Sequence, residues 1–413
     1  MTETPQGDRS TSIRPLLERA QSASRIEAGA LVAAVAALAL GFAAGIVLAW
    51  GGSLPLSGNA SLGEYTALVG AVLGAGGFLA GYFVQRSSGG SVYEHRTGRA
   101  ARILDITALT LTHAALVLML ATGAYYVVQE AFIGATVYSL PAALMIGAGG
   151  AIAAYLAYLA ASAIDATNVA GLLAVFLAGG VLTSMLNADD PHWWEANISA
   201  LGIARDISGY TFAVTLVLGG VILTTLARFI GGELEVWSAG RGEPAARGTR
   251  IVTWALIAIG ICLIGVGLVP VDVSEAVHNT FATGMALIYV ALVIGLRWLL
   301  PGFPNAFLLA GYGFVLIIAV AAVLFFPFGY YNLTAVELIA AALIFTWLIV
   351  FIRNITASAK DRDAADAAGA AGAAGAAGLG AAAAADAGVA ADAGGAAGAA
   401  DAGVSADGRT IAE

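Results

Sequence analysis

Cysteine is nearly absent: Cys262 stands alone, so an intrachain disulfide and a thiolate metal cage are both excluded. Lysine is nearly absent too. Lys360 is the only one, and arginine carries almost all of the positive charge. Charged residues make up 11% of the chain and hydrophobic residues 60%, whereas soluble domains carry about 25% charged residues. No sustained basic face appears, which argues against nucleic-acid binding. No Gly-x-x-x-x-Gly-Lys-Ser/Thr element is present, which argues against a phosphate-cradling nucleotide loop. There is also no His-x-x-x-His pair and no nucleophile elbow.

Apolar runs of about 20 residues are what the chain has instead, and they place it in the membrane class. The 53 glycines suit helices that approach closely inside a bilayer. The arginine-for-lysine, aspartate-rich balance is of the kind a GC-rich, salt-adapted genome gives. The fold class expected is all-α: a polytopic membrane helix bundle of about ten transmembrane helices. They fall near Glu27–Trp50, Tyr65–Gln85, Ile103–Val128, Val137–Ala161, Val169–Leu186, Gly209–Ile230, Ile251–Val269, His278–Leu299, Asn305–Phe325 and Ala335–Ile352. The first run is too long for the apolar region of a signal peptide and reads as a retained helix.

Four segments follow from this reading. Residues 1–26 form a cytoplasmic N-terminal stretch, 27–162 a four-helix unit, 169–353 a six-helix unit, and 357–413 a low-complexity acidic tail. The tail is an Ala/Gly/Asp repeat without an aromatic residue, a composition that lacks anything bulky to pack and reads as disordered.

Orientation is set by the arginines, because Lys and Arg collect in cytoplasmic loops. The N-terminal stretch, the 86–102 and 228–250 connections, Arg297 and the 353–362 segment all fall on one side of a ten-helix count. Both termini are therefore expected in the cytoplasm of a multi-pass cell-membrane protein. Arg205 is the exception on the other side. Asn-x-Ser/Thr tripeptides at Asn59, Asn197 and Asn332 would lie outside, and one at Asn354 inside; such tripeptides also arise by chance.

Within the spans, His113 and Asp105 lie on one face of the third helix about two turns apart, too far to touch. A proton relay needs a third titratable group, and none continues the line. A neutral, hydrogen-bonded His113 is the preferred reading. The outer side is richer. Asp189, Asp190, His192, Glu195 and Ser199 crowd the 187–202 loop beside Trp193 and Trp194. Asp272, Glu275 and His278 sit at the start of the eighth helix, on one face if that helix begins early.

Two readings of these clusters compete. As structure, Asp and Glu favour a helix N-terminus, the tryptophans belong to the interfacial belt, and Asp-Pro opens a turn. As chemistry, His192, Glu195, Ser199, Glu275 and His278 are the candidate catalytic residues, and Asp189, His192, Glu275 and His278 are weak candidate metal ligands. The structural reading is preferred, with no cofactor and no metal required. The chemical reading expects the 187–202 loop to fold onto the start of the eighth helix and make one outer polar pocket.

Asn197-Ile-Ser-Ala-Leu-Gly202, just before a helix, and His278-Asn-Thr-Phe-Ala282, opening a helix two spans later, resemble the DRAM/FRAG type of six-helix membrane family and its prokaryotic relatives. The resemblance covers about residues 169–353. Here Ala-Leu separates Ser199 from Gly202, a departure from the acidic eukaryotic form of the element. The resemblance implies lipid-anchor remodelling, autophagy or membrane organisation, packing of the 187–202 loop against His278, and no agreed catalytic residues. The function expected is a non-enzymatic lipid-interacting, scaffold or sensory membrane component, with membrane lipids and other membrane proteins as partners. The alternative is a transporter or outer-leaflet enzyme built on the His/carboxylate pocket.

Overall fold

The computed structural model describes residues 10–87, 98–239 and 241–357, together with Gly369 and Gly372. The chain divides into two compact units, residues 1–356 and 357–413. The disorder expected of the tail falls outside the described residues, as does Arg96. Ala357, Gly369 and Gly372 are helical.

The first unit is a polytopic all-α membrane bundle. Among the described residues ten helices are long and apolar enough to cross a bilayer. They are α1 (Ser10–Leu48), α2 (Leu62–Ser87), α3 (Arg99–Ala131), α4 (Ser139–Ser162), α5 (Ala166–Leu186), α6 (Ile207–Ser238), α7 (Glu243–Leu268), α8 (Glu275–Leu299), α9 (Asn305–Phe325) and α10 (Leu333–Ala357). Large apolar side chains such as Val32, Val72, Trp254 and Leu309 stay exposed along them, as a lipid-facing belt requires.

Several features depart from the sequence reading: α1 begins at Ser10 and not at Glu27, and α7 at Glu243 and not at Ile251. Strands β1 (Ser53–Pro55) and β2 (Thr136–Tyr138) pair antiparallel, Leu54 opposite Val137, and join the α1–α2 and α3–α4 connections. Val137, expected to start the fourth helix, is therefore extended. Helix α6 also runs two turns past the expected Ile230, because Leu234 and Trp237 continue its buried face beyond the apolar run.

Helix α6 is the most buried of the ten, and it packs against α5, α7 and α3. Its contact with α7 is backbone against backbone: a Cβ on Gly220 would lie 2.4 Å from the Gly260 carbonyl oxygen. Only glycine permits that approach. The larger of two apolar cores runs from Phe78 and Ile106 on α2 and α3 through Phe176 and Leu226 to Tyr289, Trp347 and Phe351, and the smaller gathers Ala49, Leu56, Leu62, Ala142 and Ile146 around the strands. The larger core crosses the boundary drawn between residues 162 and 169 without a break.

The connection at that boundary is a built N-cap. The Asp165 carboxylate accepts from the Asn168 N–H at 2.7 Å, and the Asn168 amide donates to the Ala163 carbonyl at 2.7 Å. Asp165→Ala is expected to cost about 1 kcal/mol, the usual worth of a cap. The drop in thermal unfolding temperature in detergent micelles measures it, and a neutral result would show that the turn holds itself.

Candidate functional site

The 187–206 loop starts and ends at helix termini that are locked together. The Ser184 hydroxyl donates to the Ser208 carbonyl and the Ser208 hydroxyl to the Ser184 carbonyl, each at 2.9 Å. This reciprocal pair ties the end of α5 to the start of α6. Asn187 closes α5 by donating its side-chain amide to the Thr183 carbonyl at 2.8 Å. Asp206 caps α6 by accepting from the Gly209 N–H at 2.9 Å. The cap turns so tightly that a Cβ on Gly209 would lie 1.8 Å from the Ala204 carbonyl oxygen.

Between these anchors the chain makes two short 3₁₀ turns, Trp193–Glu195 and Ile198–Ile203. Four hydrogen bonds fasten them to α8, to α10 and to Asn332 just before α10. The Trp194 carbonyl accepts from the Thr334 hydroxyl at 2.7 Å and from the Asn332 side-chain amide at 2.9 Å. The Ile198 N–H donates to the Glu337 carboxylate at 2.5 Å. Ser199 and His278 meet, with Oγ 3.1 Å from Nε2. The other ring nitrogen of His278, Nδ1, lies 2.8 Å from the Val269 carbonyl oxygen.

Elementary proton bookkeeping settles the roles. A carbonyl only accepts, so Nδ1 carries the hydrogen in the neutral ring. Nε2 is then the acceptor, and the Ser199 hydroxyl donates to it. His278 is 4% exposed and both of its nitrogens are used.

The other sequence candidates do not join this pair. His192 keeps its side chain 69% exposed, with Nδ1 3.8 Å from Asp190 and its own N–H donating to that carboxylate at 2.8 Å. Asp189, Glu195 and Glu275 are exposed. Helix α8 begins at Glu275, with Ser274 as its cap. Asp272 therefore lies in the preceding turn, and the Asp272–Glu275–His278 helical face does not form. Among the described residues no group of three or more His, Cys, Asp or Glu could hold a metal ion. Asp189, His192, Glu275 and His278 are not one ligand set, because His278 faces the protein and His192 faces solvent.

Three contributors went unread in the sequence. Asn332 was visible only as a tripeptide acceptor, and the Val269 carbonyl carries no side-chain signal. Glu337 offered a signal, being a carboxylate just inside an apolar span, where an ionisable group is costly and needs a partner.

At the other end of the spans, Asp105 is fully buried on α3 and forms an ion pair with Arg228 of α6. The Thr225 hydroxyl donates to the same carboxylate at 3.0 Å. His113 takes no part. It hydrogen-bonds the Leu109 carbonyl of its own helix at 2.8 Å and stacks on Phe78, ring centroids 4.6 Å apart. No protein-family model, no curated protein and no solved structure matches this chain.

Proposed function

We propose that this chain is a non-enzymatic component of the cell membrane, of the lipid-interacting, scaffold or sensory kind, with both termini cytoplasmic. In this reading the 187–206 loop is a fixed cap over the outer ends of α8 and α10. The observation that carries it is the fastening of three points of the loop to structural partners: Trp194 to α10, Ile198 to Glu337, and Ser199 to a buried His278. The arginines at Arg86, Arg228, Arg247, Arg250, Arg297 and Arg353 support the orientation. The Ile198-Ser199 and His278 elements support kinship with the DRAM/FRAG type of membrane protein, whose members organise membranes.

One observation favours a second reading. A serine hydroxyl donating to a histidine whose far nitrogen is held by an acceptor is the arrangement of a nucleophilic dyad, with the Val269 carbonyl as orienting group. An acyl-transfer enzyme acting at the outer leaflet would use it so. Against that reading, among the described residues the hydrogen bonds of His278 go to Ser199 and the Val269 carbonyl and none to a carboxylate, and His278 is sealed from solvent.

A fluorophosphonate probe separates the two. It labels activated serines and ignores hydroxyls that merely hydrogen-bond. The expected result is no labelling of the wild-type protein above the Ser199→Ala background. Labelling abolished by both Ser199→Ala and His278→Ala would replace the cap reading with the enzymatic one.

A further inference from the structure

We propose that the cleft where α8 turns into α9 holds a phosphate group at the arginine-bearing end of the bundle, either a phospholipid headgroup or free phosphate. This site lies apart from the cap and does not depend on it. The cleft has a volume of about 510 Å³, and Arg297, Asn305, Leu300, Phe303 and Leu308 are among its lining residues. No Asp or Glu lines it. Among the described residues Arg297 has no hydrogen-bond or ion-pair partner. A guanidinium beside a cleft without a carboxylate leaves its charge for an outside anion, and its fork of donors matches phosphate oxygens.

Two further features point the same way. The Phe307 and Leu308 N–H groups return to the Pro304 carbonyl at 3.1 and 3.2 Å, which leaves the amides of Asn305 and Ala306 without a backbone acceptor. Pro304 supplies no side-chain cap. Leu300 and Phe303 are buried beside the cleft, and Leu309, the neighbour of Leu308 outside it, is 72% exposed on the lipid-facing belt. Trp298 beside Arg297 is also exposed, at 69%, as befits an interfacial anchor. Cation and amides answer a phosphate, and the exposed Trp298 and Leu309 place the cleft beside lipid, so the headgroup source is favoured.

The test uses the full chain in zwitterionic detergent micelles. Native mass spectrometry reads retention of phosphatidylglycerol, phosphatidylcholine or inorganic phosphate. Wild type is expected to retain one phosphatidylglycerol in preference to phosphatidylcholine. Arg297→Gln should weaken that binding roughly tenfold, the size of one hydrogen bond to a charged group. Asn305→Asp is the second variant. A carboxylate in the first turn favours the helix but repels phosphate, so it should lose binding with the fold intact. Arg353→Gln, at an exposed arginine near the end of α10, should change nothing.

If inorganic phosphate displaces the lipid and by itself raises the unfolding temperature of wild type but not of Arg297→Gln, the site stands and its ligand is free phosphate. Equal retention of phosphatidylglycerol by wild type and both cleft variants overturns the proposal. So does equal retention of phosphatidylcholine, or an equal loss in Arg353→Gln, which would mark a general charge effect.

Discussion

Asp105→Ala is expected to destabilise the protein by about 3 kcal/mol, because removing one member of a buried ion pair takes the counter-charge from the other. Asp105 is fully buried, and the Arg228 side chain is 26% exposed. Partial exposure lets the guanidinium reach for the interface, which keeps the cost near the lower end of the usual ~3–5 kcal/mol. Arg228→Met should cost a similar amount, since the buried carboxylate on α3, which also accepts from the Thr225 hydroxyl, would lose its ion-pair partner on α6. The pair Asp105→Ala with Arg228→Met removes both charges and should recover much of the loss. A double-mutant cycle on thermal unfolding in micelles checks this. Additive single effects would mean that the two charges do not sense one another, and the clamp between α3 and α6 would be abandoned.

The position of this pair explains its size. It joins a helix of the first four to a helix of the last six, and the core around it is continuous. Losing it therefore affects the seam between the two halves as well as one local contact.

This pair also shows what a sequence can and cannot say about a membrane protein. Ten spans were legible because each must supply a long apolar run to lie in hydrocarbon. Asp105, two turns from His113, reads in the sequence as still at the membrane interface, whereas it is fully buried and paired. Arg228 was read as part of a basic connection, because α6 outlasts its apolar run, and helix length past the bilayer is decided by packing, here of Leu234 and Trp237. The β1–β2 pairing escaped notice since three-residue strands carry too little period to register.

The candidate site divides in the same way. That the 187–202 loop and the start of α8 share a side followed from counting helices. Which histidine would be buried did not. His192 and His278 both sit beside carboxylates in the sequence, and only the tertiary contact of Ser199 with α8 separates them. Glu337 lies 139 residues from the Ile198 amide it accepts from, a pairing that no local pattern encodes.

Cutting the His278 contact should loosen the cap. His278→Ala removes two hydrogen bonds, to Ser199 and to the Val269 carbonyl, each worth about 0.5–1.5 kcal/mol. It also empties a buried side-chain volume that adds a cavity cost. Taken together, a loss of about 2 kcal/mol is conservative, and at 1.4 kcal/mol per decade it makes an opened loop roughly thirtyfold more populated. Arg205 is exposed near the end of the loop and gives trypsin a cut site there. A protease samples the open form, so cleavage after Arg205 should accelerate by roughly thirtyfold. Ser199→Ala breaks one bond and leaves His278 facing a methyl group, so its acceleration should be smaller, about fivefold for ~1 kcal/mol. The ratio is informative because Trp194 and Ile198 are still fastened to α10 in both variants. If His278→Ala is cut no faster than wild type, those α10 contacts hold the cap unaided, and the buried histidine serves only the turn between α7 and α8.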